Sequence, residues 1–190
     1  MVIDFAKTKN ELNPVVINNE NVETVKEYKY LGFIVDDKLN GNAHVNRIYK
    51  KANQRLFFLR KLKSLAVDKT ILNLFYNSVV QSVISYCIVC WFGNLFQKDK
   101  KTINRIVKCA NRLGCEVVSY NDVYEKAMVQ KVENILNDKD HSLFQFYKFL
   151  LSSPNRLSSI FCRTERFRKS FVPTSIRKFN KSVVEVHSIR

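Results

Sequence analysis

Glycine and proline are scarce in this sequence, four and three among 190 residues. So few turn formers exclude a sandwich or barrel of many short strands. Cysteine is present but odd in number, five in all, and Cys87 and Cys90 fall inside an apolar run. A disulfide-framed secreted domain is therefore excluded, and a reducing intracellular setting, nuclear or cytoplasmic, is expected instead. No leader is expected either, because Met1-Val2-Ile3-Asp4-Phe5 has neither a basic region nor an apolar stretch of signal-peptide length. The most apolar window, 82–96, contains Ser85 and Asn94 and follows Asn73, Asn77 and Gln81. It is too short and too polar for a membrane span and reads as a buried helix, with no membrane partner.

Acidic residues are outnumbered in one part of the chain only. The first forty residues carry 5 Lys and Arg against 7 Asp and Glu, whereas residues 41–190 carry 27 against 10. The larger part has the charge of a surface that meets a polyanion. With 46% apolar and 26% charged residues the chain is globular rather than disordered. Fourteen Phe and eight Tyr suit helices with aromatic cores. The expected fold class is mainly α with a small N-terminal β hairpin: a helical bundle followed by a basic C-terminal segment.

Residues 2–5 read as the end of a strand. Pro14-Val15-Val16-Ile17-Asn18 reads as a second strand, Asn18-Asn19-Glu20-Asn21 as a turn, and 22–35 as a long return arm with Tyr28, Tyr30 and Phe33. From His44 the apolar period lengthens. Val45, Ile48, Tyr49, Ala52, Leu56, Leu59 and Leu62 mark one face of a helix whose outer face holds Arg47, Lys50, Lys51, Arg55, Arg60, Lys61 and Lys63. Asp68 caps a second helix that runs on toward Cys90. A third follows Asp99, with Lys101, Arg105, Lys108 and Arg112 outside and Gly114 as its left-handed stop. Ser119 with Asp122 resembles a capping box opening a fourth helix, which Asn137-Asp138-Lys139-Asp140 ends. A short aromatic helix is expected over 143–151, ended by Ser152-Ser153-Pro154-Asn155. The last 35 residues alternate bases, among them Arg166 and Arg168, with Phe161, Phe167, Phe171 and Phe179, which are expected to pack.

No self-contained active site assembles from these residues. Asp36-Asp37 follows Phe33-Ile34-Val35, but the aromatic lies one position too far for the metal-holding aromatic-x-Asp-Asp hairpin of polymerases, so the pair reads as solvated turn acids. Cys87-x2-Cys90 has a zinc-like first half, yet five residues separate Cys109 from Cys115, and all four read as buried thiols. His44, His141 and His187 are far apart and none stands in a His-x-Asp pair. There is no phosphate loop and no nucleophile elbow. Positive charge on helical faces remains, able to track phosphates.

Several blocks carry a family resemblance. They are Met1-Val2-Ile3-Asp4-Phe5, Val15 to Asn18, Tyr28-Lys29-Tyr30-Leu31-Gly32-Phe33, Ala52-Asn53-Gln54-Arg55-Leu56-Phe57-Phe58-Leu59-Arg60-Lys61-Leu62, and Tyr86 with Trp91-Phe92-Gly93-Asn94. Arg105-Ile106-Val107-Lys108, Leu113-Gly114-Cys115 and Arg163-Thr164-Glu165-Arg166-Phe167-Arg168-Lys169-Ser170-Phe171-Val172-Pro173 continue the series. In this order they resemble the part of non-LTR retrotransposon (LINE and jockey-like) reverse transcriptases that follows the catalytic palm, although Gly41 stands where many relatives carry Trp. The resemblance implies a primer grip at Tyr30, Leu31 and Gly32 and a thumb helix bearing Arg47, Lys50, Lys51, Arg55, Arg60 and Lys61. It places the catalytic aspartates upstream of Met1, while the basic third-helix face and tail add Lys101, Arg105, Lys108, Arg112, Arg166 and Arg168 as candidate nucleic-acid contacts on charge alone. The expected function is a fragment of an RNA-directed DNA polymerase, with no catalytic residue and no cofactor of its own. Magnesium would belong to the parent enzyme, and RNA–DNA or DNA duplex and the missing palm would be the partners. The segments expected are a palm-edge hairpin over 1–40, a thumb-like bundle over 41–115 and a connector with an Arg/Phe tail over 116–190. The rival reading is a protein-interaction or structural remnant. Similar segments can also carry a label borrowed from the N-terminal part of an AlkB-type alkylation-repair protein, which implies dioxygenase or methyltransferase activity. The residues disfavour that reading, since neither an iron triad nor a cofactor-binding Gly-rich turn is visible.

Overall fold

A computed structural model describes residue 3 and residues 15–187. The expected strand over 2–5 lies largely outside the described residues, as do Pro14 and Arg190. The chain is mainly α with a small β part, as composition and periodicity predict.

The N-terminal β region is two hairpins rather than one with a long return arm. Strands β1 (Val16–Ile17) and β2 (Glu20–Asn21) pair antiparallel, and so do β3 (Glu27–Tyr30) and β4 (Phe33–Asp36), with Tyr30 opposite Phe33. Each is closed by two residues with left-handed backbone, Asn18 and Asn19 in the first, Leu31 and Gly32 in the second. That geometry matches the strand twist and makes a two-residue loop the preferred connection. The sequence signal at Asn18-Asn19 was plain. Leu31 carried none, because an aliphatic residue at φ 45° is costly and rarely chosen.

Helix α1 (Asn42–Ser64) buries Val45, Ile48, Ala52, Leu56 and Leu59 on the predicted face. Asp68 caps α2 (Lys69–Phe75) by accepting from the Thr70 backbone N–H at 2.7 Å. The chain then widens into a π-helical segment (Tyr76–Gln81) before α3 (Ser82–Ser85). The helix predicted to continue to Cys90 is broken at Tyr86 and Cys87, and α4 (Ile88–Trp91) starts from Cys87 at φ 49°. The Trp91 indole N–H, donating to the Tyr86 carbonyl at 3.0 Å, holds that break. It shifts the phase of the turn that follows, so Cys87 and Cys90 are exposed instead of buried, while Cys115 is buried as expected. The stretch Lys69–Asn94 is long and apolar enough to cross a membrane by length and composition alone. Here its residues Leu72, Tyr76, Val80, Ile84, Ile88 and Trp91 enter the main core.

Helix α5 (Gln97–Arg112) lies beside α1 and ends before Gly114, which takes the predicted left-handed stop at φ 92°. Ser119 caps α6 (Tyr120–Asn137) by accepting from Asn121, the Ser half of the expected box. The first half of α6 belongs to the main core, and the Tyr120 and Tyr76 hydroxyls bond there at 2.9 Å. Its second half, through Val132 and Ile135, belongs to a smaller core with Tyr147, Leu157 and Ile176.

The aromatic helix expected over 143–151 is instead a single 3-10 turn (Phe144–Phe146) followed by a third hairpin, β5 (Phe149–Leu150) with β6 (Ser153–Leu157). Aromatic period 3 to 4 matched a helix, but the small core takes Tyr147 and Leu157 from opposite arms of a turn. Pro154 fits a two-stranded sheet whose edges need no further donor. The tail then folds as α7 (Glu165–Lys169) and α8 (Phe171–His187). Pro173 lies in the first turn of α8, where a missing N–H costs nothing. Phe171 and Phe179 pack as expected, whereas Phe161 and Phe167 are exposed.

Candidate functional site

On α1, residues Arg47, Lys51 and Arg55 follow one another at four-residue steps, so their side chains form a row with about 6 Å between neighbours along the axis. The row faces α3 and the β3–β4 turn across a groove of about 280 Å³. Gly32 of the turn and Ser82, Val83 and Tyr86 of the α3 region line the rest of it. No carboxylate is among its described lining residues.

Local structure explains how this groove is held. Within the π-helical segment the Val79 carbonyl accepts one Arg55 N–H, with four guanidinium donors remaining. Tyr86, 48% exposed, projects from the break between α3 and α4 and donates its hydroxyl to the Leu31 carbonyl at 2.6 Å. That bond stabilises a left-handed aliphatic turn and ties the hairpin to the helices. A Cβ on Gly32 would lie 3.6 Å from the Tyr86 ring, and at φ +84° it would also strain the backbone.

His44 forms the floor. It is 3% exposed, its Nδ1 accepts from the Ile34 backbone N–H at 3.3 Å, and its ring lies 4.3 Å from Phe33 and 5.4 Å from Trp91. Burial first, then the Arg47 and Lys51 charges, hold its pKa down to about 4. The ring is neutral at pH 7, with the proton on Nε2, an enclosed atom without a hydrogen-bond partner.

Of the residues predicted to meet nucleic acid, Gly32, Arg47, Lys51 and Arg55 line the groove. Tyr30, 61% exposed, sits one position before the same turn, and Lys50 is exposed beside the row. Arg60 is elsewhere: five residues beyond Arg55 is a rotation of roughly 140° about the helix, and its guanidinium donates to the Cys109 thiol on α5. Lys61 lies over the Phe57 ring at 5.9 Å. Lys101, Arg105, Lys108 and Arg112 form an exposed stripe on α5. Arg166 donates to the Lys38 carbonyl at 2.7 Å, and Arg168 pairs with Glu165 at 3.5 Å. Sequence reasoning missed His44 and Tyr86 as parts of the site. Tyr86 had a usable signal, an exposed-type aromatic at the end of an apolar helix; His44 had none beyond its helical phase.

Asp36 is not the solvated turn acid expected. It is 7% exposed, and its carboxylate accepts from the backbone N–H groups of Lys38, Asn40 and Gly41 at 2.9 to 3.1 Å. It shapes the loop that delivers α1, because a buried carboxylate must be satisfied by such donors.

The family model that matches the chain is that of the alkylated DNA repair protein alkB homolog 8, N-terminal, over residues 42–82. The match covers α1, α2 and the π-helical segment, under a quarter of the chain. No curated protein and no solved structure gives a match. This match corrects the expected function. The reading as a reverse-transcriptase fragment, with its retrotransposon and polymerase vocabulary, rested on a succession of short blocks. The matched family points instead to the AlkB-homologue relationship that the residues had disfavoured. An AlkB-type iron centre does not fit the groove, however. His44 Nδ1 is engaged by Ile34, the Asp36 oxygens are taken by three backbone donors, and among the described residues no group of three His, Cys, Asp or Glu could hold a metal ion.

Proposed function

We propose that this chain is a nucleic-acid-binding module, related through α1 and α2 to the N-terminal region of alkB homolog 8, that holds a sugar–phosphate backbone in the groove between α1 and the β3–β4 turn. The observation that carries the reading is the row Arg47, Lys51, Arg55, aligned along a groove whose described lining has no acid. Cations at about 6 Å intervals suit consecutive phosphates of one strand, and Tyr86 and Tyr30 beside them offer faces on which bases stack. The DNA in the matched family's name is consistent with such a ligand. In this role the module contributes binding and orientation, and no bond-breaking step is assigned to its residues.

Fluorescence anisotropy with labelled single-stranded and duplex oligonucleotides, across 50 to 300 mM salt, tests the reading. The wild-type chain should lose affinity steeply with salt, and Arg47→Glu with Lys51→Glu should flatten the log–log slope by roughly 1.4 to 1.8, the loss of two phosphate contacts. An unchanged slope in that double variant refutes the groove as the binding surface. Binding that is absent at low salt refutes the function altogether.

A further inference from the structure

A second cavity, of about 230 Å³, lies where α4, α6 and the α7–α8 corner meet, away from the α1 groove. Its walls are apolar, from Val89, Leu143 and Phe171. Polar residues line it from several elements: Cys90, Asn94, Tyr124, Lys131 and Lys169. None of its described lining residues is acidic.

Positive charge is crowded at this rim without being answered. The ion pairs among the described residues engage Lys69, Arg168 and Lys178, and leave Lys131 and Lys169 without one. Lys100 on α5 does not line the cavity but feels the Lys169 charge: it is half-buried, stands over the Phe92 ring at 5.2 Å, and is held below the usual lysine range by burial and by the Lys178 and Lys169 charges. Glu125 neutralises Lys178 only. Tyr124 is buried, and burial with the neighbouring Glu125 charge keeps its hydroxyl protonated and so a donor. A Cβ on Gly93 would come within 2.6 Å of the Tyr124 hydroxyl, so any larger residue there must displace that ring.

Like charges at the mouth of an apolar hollow, Lys131 half-buried and Lys169 exposed, repel one another, the less so for the solvent around them. A ligand that fills the hollow with a ring and brings one acidic group to the rim relieves both the empty volume and the repulsion. This is the pattern of small-molecule sites, apolar walls with a few convergent polar groups. We propose that the α4–α6–α8 junction is a binding site for a small aromatic anion, one or two rings wide, whose acidic group is held by Lys131 and Lys169 and whose ring packs on Phe171 and Leu143. The site is independent of the groove on α1.

The probe is 8-anilinonaphthalene-1-sulfonate, titrated into the full chain by calorimetry and fluorescence. N-phenyl-1-naphthylamine, the same aromatic frame without the sulfonate, serves as the neutral control. One equivalent of the sulfonate should bind at least tenfold more tightly than the neutral amine at low salt. Lys131→Gln with Lys169→Gln, both at the rim, should remove that difference. Leu143→Trp should fill the cavity and abolish binding of both probes, and Arg47→Glu with Lys51→Glu should leave both unchanged. Equal affinity for the two probes, or a sulfonate affinity indifferent to the Lys131 and Lys169 changes, overturns the proposal. Loss of sulfonate binding in the α1 variant overturns it too, by assigning the probe to the groove.

Discussion

Two basic regions of this molecule look alike in sequence and differ in what their charges touch. On α1, Arg47 and Lys51 face an open groove with no acid among its described lining residues, and Arg55 keeps four of its five donors. In the C-terminal tail, Arg166 is bonded to the Lys38 carbonyl, Arg168 to Glu165, Arg177 to the Arg168 carbonyl and Lys178 to Glu125. The tail's cations mostly close the fold on itself, as Arg60 does on α1, while Arg47 and Lys51 face the groove. A charge count cannot tell a cation that staples a chain from one that waits for a ligand.

The sharpest way to break this comparison is to reverse charges in each region. Arg47→Glu with Lys51→Glu is expected to weaken oligonucleotide binding roughly 100-fold at low salt, about 2.7 kcal/mol. Arg166→Ala with Arg168→Ala should weaken it less than about threefold and should lower thermal stability instead. Anisotropy and calorimetric melting on the same preparations decide it, and equal loss of affinity in both variants would remove the distinction.

Next in size is a purely structural change in the tail. Asn180 bridges α8 to β6, its amide oxygen accepting from the Leu157 N–H at 2.8 Å and its amide nitrogen donating to the Leu157 carbonyl at 2.9 Å. Asn180→Leu leaves both backbone groups unsatisfied and should cost about 2 to 3 kcal/mol in denaturant unfolding, with binding by the folded fraction intact.

His44 gives a pH test of the groove. Its folded pKa, about 4, lies below the ordinary 6.5. The unfolded chain therefore takes up this proton first as pH falls. Stability contributed by the neutral ring is complete above pH 6.5 and is lost progressively down to about pH 4. His44→Asn should flatten the stability profile between pH 6.5 and 5. A polyanion bound at Arg47 and Lys51 should also raise the His44 pKa, visible as a shifted imidazole titration by NMR; no shift on binding would separate the ligand from this row.

The smallest expected effect is at the hairpin. Tyr86→Phe removes the bond to the Leu31 carbonyl and should cost about 1 kcal/mol and a few-fold in affinity, because the turn beside the groove loosens. Hydrogen exchange of the β3–β4 amides reads this directly, and unchanged protection would mean the hairpin is held by other contacts.

Much of the bundle was legible beforehand. The apolar faces of α1 and α5, the Asp68 and Ser119 caps and the Gly114 stop follow from spacing and side-chain chemistry within a turn or two of helix. The break at Tyr86 and Cys87 was not legible, because it depends on the Trp91 indole and on Leu31, 55 residues away from Tyr86. The third hairpin was hidden for a similar reason: Phe149 and Leu157 pair across a turn, a non-local choice that aromatic spacing mistook for a helix.

The sequence by itself determined the fold class, the helical registers of the main core and the excess of positive charge beyond residue 40, since each depends on neighbours along the chain. Tertiary structure alone decided which cations face a groove and which are bonded within the fold. It also decided that Asp36 is a buried organiser of a loop, that Cys87 and Cys90 are exposed, and that His44 is neutral beneath the α1 row. The physical reason is common to all of these: a polar group's role is set by its desolvation and by the partners within hydrogen-bond reach, and those are supplied by segments distant in sequence.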